Sequence, residues 1–410
     1  MDYTTYLETL KEEKQLEEIA PDSLYRAFER VKDPRKKRGV RYRLPLILSL
    51  IVLGKLAGMK TVAAIAHWVR LRKDDLAEEF HLEDARFPCA ATYSNILQEV
   101  ELQEVTEAIA GCLTKQAATF RCADEPSRLC HQNGKQEKEH VALDGKTLRG
   151  TLKHDSPKQT PVHLLALYEV QTGLVLAQEK MQEKENEISA AKDLLIPLYL
   201  KGRIFTGDAM HTQKDHCLKI QRSGGAYSLM VKKNHPVMWE DLRLFFEDKE
   251  AERGAWKTVK EVEKGHGRIC TREMTVTTDL VPLFSKEWPA IAQVFRIVRT
   301  TQKKGKTTCE VFYGITSLTP QQASPKKLLK IQRHHWKIEN RLHWRRDVTL
   351  GEDQSQVRTR QAPSLLAALN CAVLALMDLF HVSNVAAQTR VFDAQPDLAI
   401  RLLLGAPTFK

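Results

Sequence analysis

Two short apolar runs in this chain each stop at an aspartate, and that pattern limits the fold more than any other feature. HVALDGKTLRG (140–150) and GRIFTGDAM (202–210) read as strands ending in Asp144 and Asp208. VHLLALYEVQTGLVLAQEKM (162–181) reads as a hairpin turning around QTG, and AYSLMVKKN (226–234) as another strand. Between them, NEISAAKDLLIPLYL reads as a helix capped by Asn186, and HTQKDHCLKIQRSGG as a helix stopped at Gly224-Gly225. Hairpin, helix and further strands together predict a mixed α/β sheet. From about Pro236 to Thr319 the pattern alternates strand by strand, which sets a mostly β segment inside the α/β domain. APSLLAALNCAVLALMDLF (362–380) is apolar all round and predicts a buried helix; the tail to Lys410 reads as further helix.

The part before the first strand is helical. Residues 1–32 read as two short helices, the second capped by Asp22 or Ser23. DPRKKRGVRYR (33–43) is a basic loop. Pro45 opens a helix running to about Ala57, GMK turns the chain, and Thr61 caps a helix over Val62–Arg72. This is the order of a helix-turn-helix, with His67, Arg70 and Lys73 facing outward. In FPCAATYSNILQEV, Thr92 would cap a helix exposing Tyr93, Ser94 and Asn95, and a helix over 102–118 closes the segment. The domain boundaries that follow are a helical domain at 1–120, a linker at 121–139 and an α/β domain at 140–410, with the β insertion at about 236–319.

Charge says what the helical part is for. Between Arg30 and Lys73 stand thirteen Lys and Arg residues and one acid, Asp33, against +11 for the whole chain. The basic balance is therefore local, and points to a polyanion. Double-stranded DNA fits better than a membrane surface, since the one long apolar run here, LPLILSLIVLGKLAG, carries Lys55 and is too short to span a bilayer. Arg35, Lys36, Lys37, Arg38, Arg41, Arg43, Lys60 and Arg70 are the candidate DNA contacts in this segment. Eight scattered cysteines, none in a CxxC pair, argue against a disulfide framework or structural zinc. The polar N-terminus shows no signal peptide, so a bacterial cytoplasmic, nucleoid-associated protein is expected.

Downstream, IQRHHWKIENRLHWRRD (331–347) reads as one helix with Glu339 among cations and aromatic rings. Asp144 and Asp208 at strand ends, with Glu339, would repel one another unless a cation lay between them. Hard oxygen ligands select Mg²⁺ or Mn²⁺, and two such ions can activate an attacking oxygen and stabilise a leaving oxygen at a phosphodiester. Strand-end aspartates also cap helices and make turns. Lys146 could hold a phosphate or be solvated, and His211 and Gln213 could position DNA or cap a helix. Trp336 and Trp344 could stack on a base, but two Trp at this spacing fit core packing better.

Four motifs carry a family likeness: DPRKKRGVRYRLPLILSLIVLGKLAGMKTVAAIAHW, ALDGKTLRG, GDAMHTQ and HHWKIENRLHWRRDVTLGEDQSQVR. The chain resembles bacterial insertion-sequence transposases with a DDE triad, in the ISAs-type branch that includes the H-repeat-associated proteins. The resemblance implies an RNase H-like catalytic domain interrupted by a β insertion, with Asp144, Asp208 and Glu339 as metal-binding catalytic residues. It implies metal-dependent cleavage at transposon ends, attack of a 3′ hydroxyl on target DNA, and a homodimer bridging two ends. Related transposases carry Y-x2-R-x3-E-x6-K around the glutamate. Here those positions hold Gln332, His335 and Arg346, and Arg333 or His335 would stand in for the arginine. Arg341, His343 and Arg346 join the expected DNA contacts; Asp347, Glu352 and Asp353 are expected to cap or to pair with Arg345 and Arg346. A domesticated, catalytically inactive DNA-binding protein is the alternative.

Overall fold

The computed structural model describes residues 19–38, 40–124, 138–152, 161–182, 186–248, 256–265 and 267–405. Its helices begin with α1 (Leu24–Phe28), α2 (Leu44–Leu56), α3 (Val62–Leu71), α4 (Lys73–Glu79), α5 (Ala90–Glu99) and α6 (Leu102–Asp124). Strands β1 (Glu139–Leu148), β2 (Val162–Glu169) and β3 (Leu174–Lys180) follow. Then come α7 (Glu187–Leu194), β4 (Arg203–Gly207), α8 (Lys214–Arg222), β5 (Ala226–Val231) and α9 (Pro236–Glu247). Strands β6 (Lys257–Gly265), β7 (Arg268–Thr277), β8 (Gln293–Lys303) and β9 (Lys306–Thr316) lead to α10 (Pro325–His335). A π-helical turn over Ile338–His343, α11 (Trp344–Val348), α12 (Ala362–Leu379), α13 (Val385–Ala394) and α14 (Pro396–Leu404) complete the chain.

The chain forms two compact units. The first holds the N-terminal helices, residues 145–184 and everything from Glu339 on; the second holds the chain up to Asp144 from residue 137, and 185–338. The expected separation of a helical domain from an α/β domain is therefore not how the molecule divides. The reason is α12, all eighteen of whose residues are buried. An apolar helix without a polar face needs cover on every side. The N-terminal helices α2, α5 and α6 and the β2–β3 hairpin supply that cover. This helix is long and apolar enough to cross a membrane, yet it lies wholly inside the first unit.

Within the first unit the local signals act as read. Ser23 accepts from the backbone of Arg26, and Thr61 from that of Ala64. Gly58, at φ 82°, turns the chain between α2 and α3, and Gly54 lets the two helices close up on Ile65. The next helix differs from expectation. It begins at Ala90, two residues before Thr92, and this turns Tyr93 into the core, fully buried, instead of outward.

The second unit is built on a sheet in the order β1-β4-β5-β9-β8-β7-β6. The β1–β4 and β4–β5 pairs are parallel, while β5–β9 and the strands beyond are antiparallel. The β insertion thus extends the main sheet. It opens with a helix, α9, where the alternating pattern suggests strand throughout; its buried residues Met238, Leu242 and Phe246 recur at helical spacing. The linker expected at 121–139 lies mostly outside the described residues, and α6 runs on to Asp124.

Candidate active site

The two aspartates meet through strand register. Leu143 on β1 is paired with Gly207 on β4 in parallel, so Asp144 and Asp208 are the next residues on neighbouring strands at the same carboxyl edge. Adjacent strands run about 4.8 Å apart, which puts the two carboxylates side by side. β4 does end before Asp208, as predicted. β1 does not end at Asp144: the strand continues to Leu148, and what stops at Leu143 is its pairing with β4.

Asp208 is held from below by a chain of side chains. His140 Nε2 lies 2.8 Å from Thr206 Oγ1, which lies 3.1 Å from His335 Nδ1; His335 Nε2 is 3.8 Å from Asp208 Oδ1. His335 beside it lowers the Asp208 pKa against the opposing effect of burial. Burial and the nearby cations push His140 down to about 3, so it stays neutral at any physiological pH. The Asp208 side chain is 58% exposed and open to a ligand. His335, at the position where related transposases carry arginine, thus lies against the second aspartate.

Glu339 is exposed and belongs to the first unit. The single helix expected over 331–347 is broken there. α10 ends at His335, and Glu339 sits in the π-helical turn. Such turns widen the helix by one residue and recur at functional sites. Facing residues therefore cannot be read off a 3.6-residue period through this stretch.

The structure sorts the other candidates. Lys36, Lys37, Arg38, Arg41, Lys60 and Arg70 are exposed. Arg35 is tied to Asp33 and to the Tyr42 carbonyl, and Arg43 to Glu29. Arg70 contacts His67 on the outer face of α3. Lys146 is not solvated: it is buried, 2.6 Å from Asp347 and 3.6 Å from Asp353. Lys146 and burial act on Asp347 in opposite directions, and burial prevails, so its pKa is raised. His211 is fully buried, stacked on His216 and 3.6 Å from Glu187, and has no surface to offer DNA.

Arg333 is spent on Glu261 and Glu263, and Arg341 on Asp378. Arg345 also pairs with Asp378 rather than with Asp347, Glu352 or Asp353. His343 is 5% exposed. Gln332 is buried against Ser228. Arg346, expected at a phosphate, is completely buried; its Nη2 is 2.8 Å from Glu352, which also accepts from Asn370. A guanidinium can be buried there because a carboxylate is buried with it. Trp336 and Trp344 reverse expectation the other way: both are more than half exposed instead of packed. The pairing of Glu352 with Arg346 is as expected from the sequence; for the other cations the sequence holds no such signal, because paired and unpaired cations look alike along a chain.

Among the described residues no three His, Cys, Asp or Glu side chains come together tightly enough to hold a metal ion. Asp144 and Asp208 supply the hard oxygen donors that a small divalent cation takes, and His335 lowers the Asp208 pKa.

Residues 135–376 match the family described as Transposase DDE domain, and residues 25–111 match the DDE_Tnp_1-associated family. YbfL of Escherichia coli K12 is 28% identical over 373 residues, 89% of this chain and 90% of that protein. YhhI of the same strain, provisionally named an H repeat-associated transposase, is 30% identical over 311 residues, 74% of this chain and 77% of that protein. The piggyBac transposase synaptic complex with hairpin DNA aligns over 100% of this chain and 83% of that one at a TM-score of 0.39 and 12% identity, a likeness too loose to carry an argument.

Proposed function

The chain belongs to the DDE transposase family, and on that premise we propose that it cuts and joins DNA at the inverted-repeat ends of an insertion sequence. The observation that carries this reading is the parallel register that sets Asp144 beside Asp208. In this reading β1, β4 and β5 form the heart of an RNase H-like catalytic domain, interrupted by the β6–β9 insertion.

Members of this family generally use a divalent metal. Asp144, Asp208 and Glu339 would hold Mg²⁺ or Mn²⁺, and the ion would supply activation of the attacking oxygen and neutralise charge at the phosphate. His335 orients Asp208 and favours its carboxylate form. Water attacks phosphorus, the P–O3′ bond breaks, and a 3′ hydroxyl is released; that hydroxyl then attacks a target phosphodiester and displaces its 3′ oxygen. The exposed cations Lys36, Lys37, Arg38 and Arg41 suit the phosphate backbone of duplex DNA, and Trp336 and Trp344 suit stacking on an unpaired base. Two copies would bridge two ends in the bacterial nucleoid.

The test is cleavage and joining of end-bearing DNA by purified protein with Mg²⁺ or Mn²⁺. Asp208→Asn should lower the rate by more than about 100-fold while leaving DNA affinity and melting temperature close to wild type. Full activity in that variant would overturn the assignment. A second reading, a DNA-binding protein without cleavage, draws on Gln332 and Arg346. Both face the interior, where related transposases place substrate-contacting Tyr and Lys. It predicts salt-sensitive binding by wild type with no metal-dependent product.

A further inference from the structure

The insertion carries a second charged feature, far from the aspartates. β6–β7 and β8–β9 are two hairpins whose tips lie next to each other in the sheet. The last register row runs Gly265↔Arg268, Arg268↔Lys303 and Lys303↔Lys306. Directly opposed residues on neighbouring strands point to the same face, so Arg268, Lys303 and Lys306 stand in one line about 4.8 Å apart. Lys304 sits at the turn itself, and Lys264 one row back on the other face. No acid occurs in 264–269 or 302–307.

Like charges set directly opposite one another destabilise a sheet. Elsewhere on this same face the one opposed pair of like charges, Arg272 and Arg299, has each guanidinium offset by a carboxylate. Further inward the line reads Glu261, Arg272, Arg299, Glu310, with Arg299 paired to Glu310 and Arg272 to Glu263. At the tip no such pairing is made: none of Lys264, Arg268, Lys303, Lys304 and Lys306 has an ion-pair partner among the described residues.

The backbone adds an independent observation. Lys304 and Gly305 form a two-residue turn closed by the Lys303–Lys306 pair, with φ of 47° and 76°. Both positive values make it the mirror-image turn that favours Asn, Asp or Gly at its first position. A lysine there accepts strain that asparagine would relieve. The sheet is also bare at this end. Lys303 through Val311 are all exposed, as are Val262 through Gly265, so no core holds these charges in place.

We propose that the paired hairpin tips are a phosphate-backbone contact for duplex DNA, made by Arg268, Lys303, Lys304 and Lys306. This rests on the reading that the chain acts on DNA. Along β9, Lys306 stands eight residues outward from Gly314, which pairs with Met230 on the strand next to that of Asp208. At roughly 3.3 Å per residue that is about 26 Å. The tip is too far out to touch a phosphodiester reacting at Asp208, so it grips the duplex to one side of the cut and adds binding rather than chemistry.

The experiment titrates the full-length protein against a random-sequence duplex of about 30 base pairs over a salt series. In Arg268→Gln/Lys303→Gln/Lys306→Gln the slope of log affinity against log salt should fall by up to about 2.7, roughly 0.9 for each phosphate that is no longer neutralised, with affinity at 0.1 M salt weakened at least about tenfold. Lys304→Asn should weaken binding while keeping or raising the melting temperature, because asparagine suits the turn. An unchanged slope in the triple variant, with wild type binding normally, overturns the tip assignment and leaves the DNA reading standing. No binding by wild type even at low salt overturns both. Loss of binding to poly-glutamate with DNA affinity intact would overturn the proposal in favour of an acidic protein partner.

Discussion

Lys55 shows how one buried charge is carried. It is 2% exposed on a helix whose thirteen residues are all buried, and its ammonium donates to the Lys60 carbonyl. Burial pushes its pKa down to about 8, against the opposing pull of Glu352. Its folded pKa lies below the unfolded value of 10.5, so between about pH 8 and 10.5 the unfolded chain holds the extra proton. Stability from this group therefore rises with pH across that window, and burying the charged form costs stability below it. Lys55→Met should be more stable than wild type by about 1–3 kcal/mol at pH 7, the gap closing towards pH 10. Denaturant unfolding of both proteins at several pH values checks this; a gap that widens with pH would show that Lys55 is not the cause. Glu352 offsets two cations at once, through its contact with Arg346 and its pull on Lys55, and that is why a carboxylate lies so deep.

At the scale of elements, the strand that carries Asp144 is pinned downstream of it. Lys146 on β1 reaches Asp347 on α11, and the turn after β1 lies against the turn after α11. Gly150 allows this: a Cβ there would fall 2.2 Å from the Ser355 carbonyl and 2.8 Å from that of Asp353. Backbone cannot yield as a side-chain tip can, so Gly150→Ala should cost about 1–3 kcal/mol by forcing the turns apart. Thermal melting measures it, and a variant that melts with wild type would show that the approach is looser than described. The π-helical turn at Glu339 is the other device at this scale. It breaks the helical period where the sequence reads as one uninterrupted helix, and so sets the direction of a side chain that spacing alone would misplace.

At the scale of the whole molecule, one of its two units is organised by α12. Its cover comes from N-terminal helices and from a hairpin more than 180 residues before it, so the first unit is assembled from three separated pieces of chain. Trp68 and Arg72 of the N-terminal helices likewise bind Asp393 near the C-terminus, with Arg72 over the Trp68 ring at 4.6 Å. The N-terminal helices are thus part of the core as well as carriers of the basic loop. A chain lacking residues 1–124 should expose α12, bind a hydrophobic dye and lose near-ultraviolet circular dichroism while keeping helical signal. Cooperative unfolding with native near-ultraviolet signal in that fragment would refute the shared core.

Sequence alone determined what depends on neighbours along the chain. The caps at Ser23, Thr61 and Asn186, the hairpin at 171–173, the burial of α12 and the place of Asp208 just past a strand end follow from local chemistry and periodicity, both of which act over a turn or two. The helix α9 reads as part of the β segment, although Met238, Leu242 and Phe246 recur at helical spacing. What only the tertiary structure decided is which groups face each other. Register made two distant aspartates neighbours, and a chain from His140 through Thr206 to His335 placed an imidazole beside one of them. Partners far along the chain engaged Arg333 and buried Lys146, while the indoles of Trp336 and Trp344 were left in solution. The energy of a charge or a ring depends on what surrounds it in space, and a linear sequence records only what surrounds it in order.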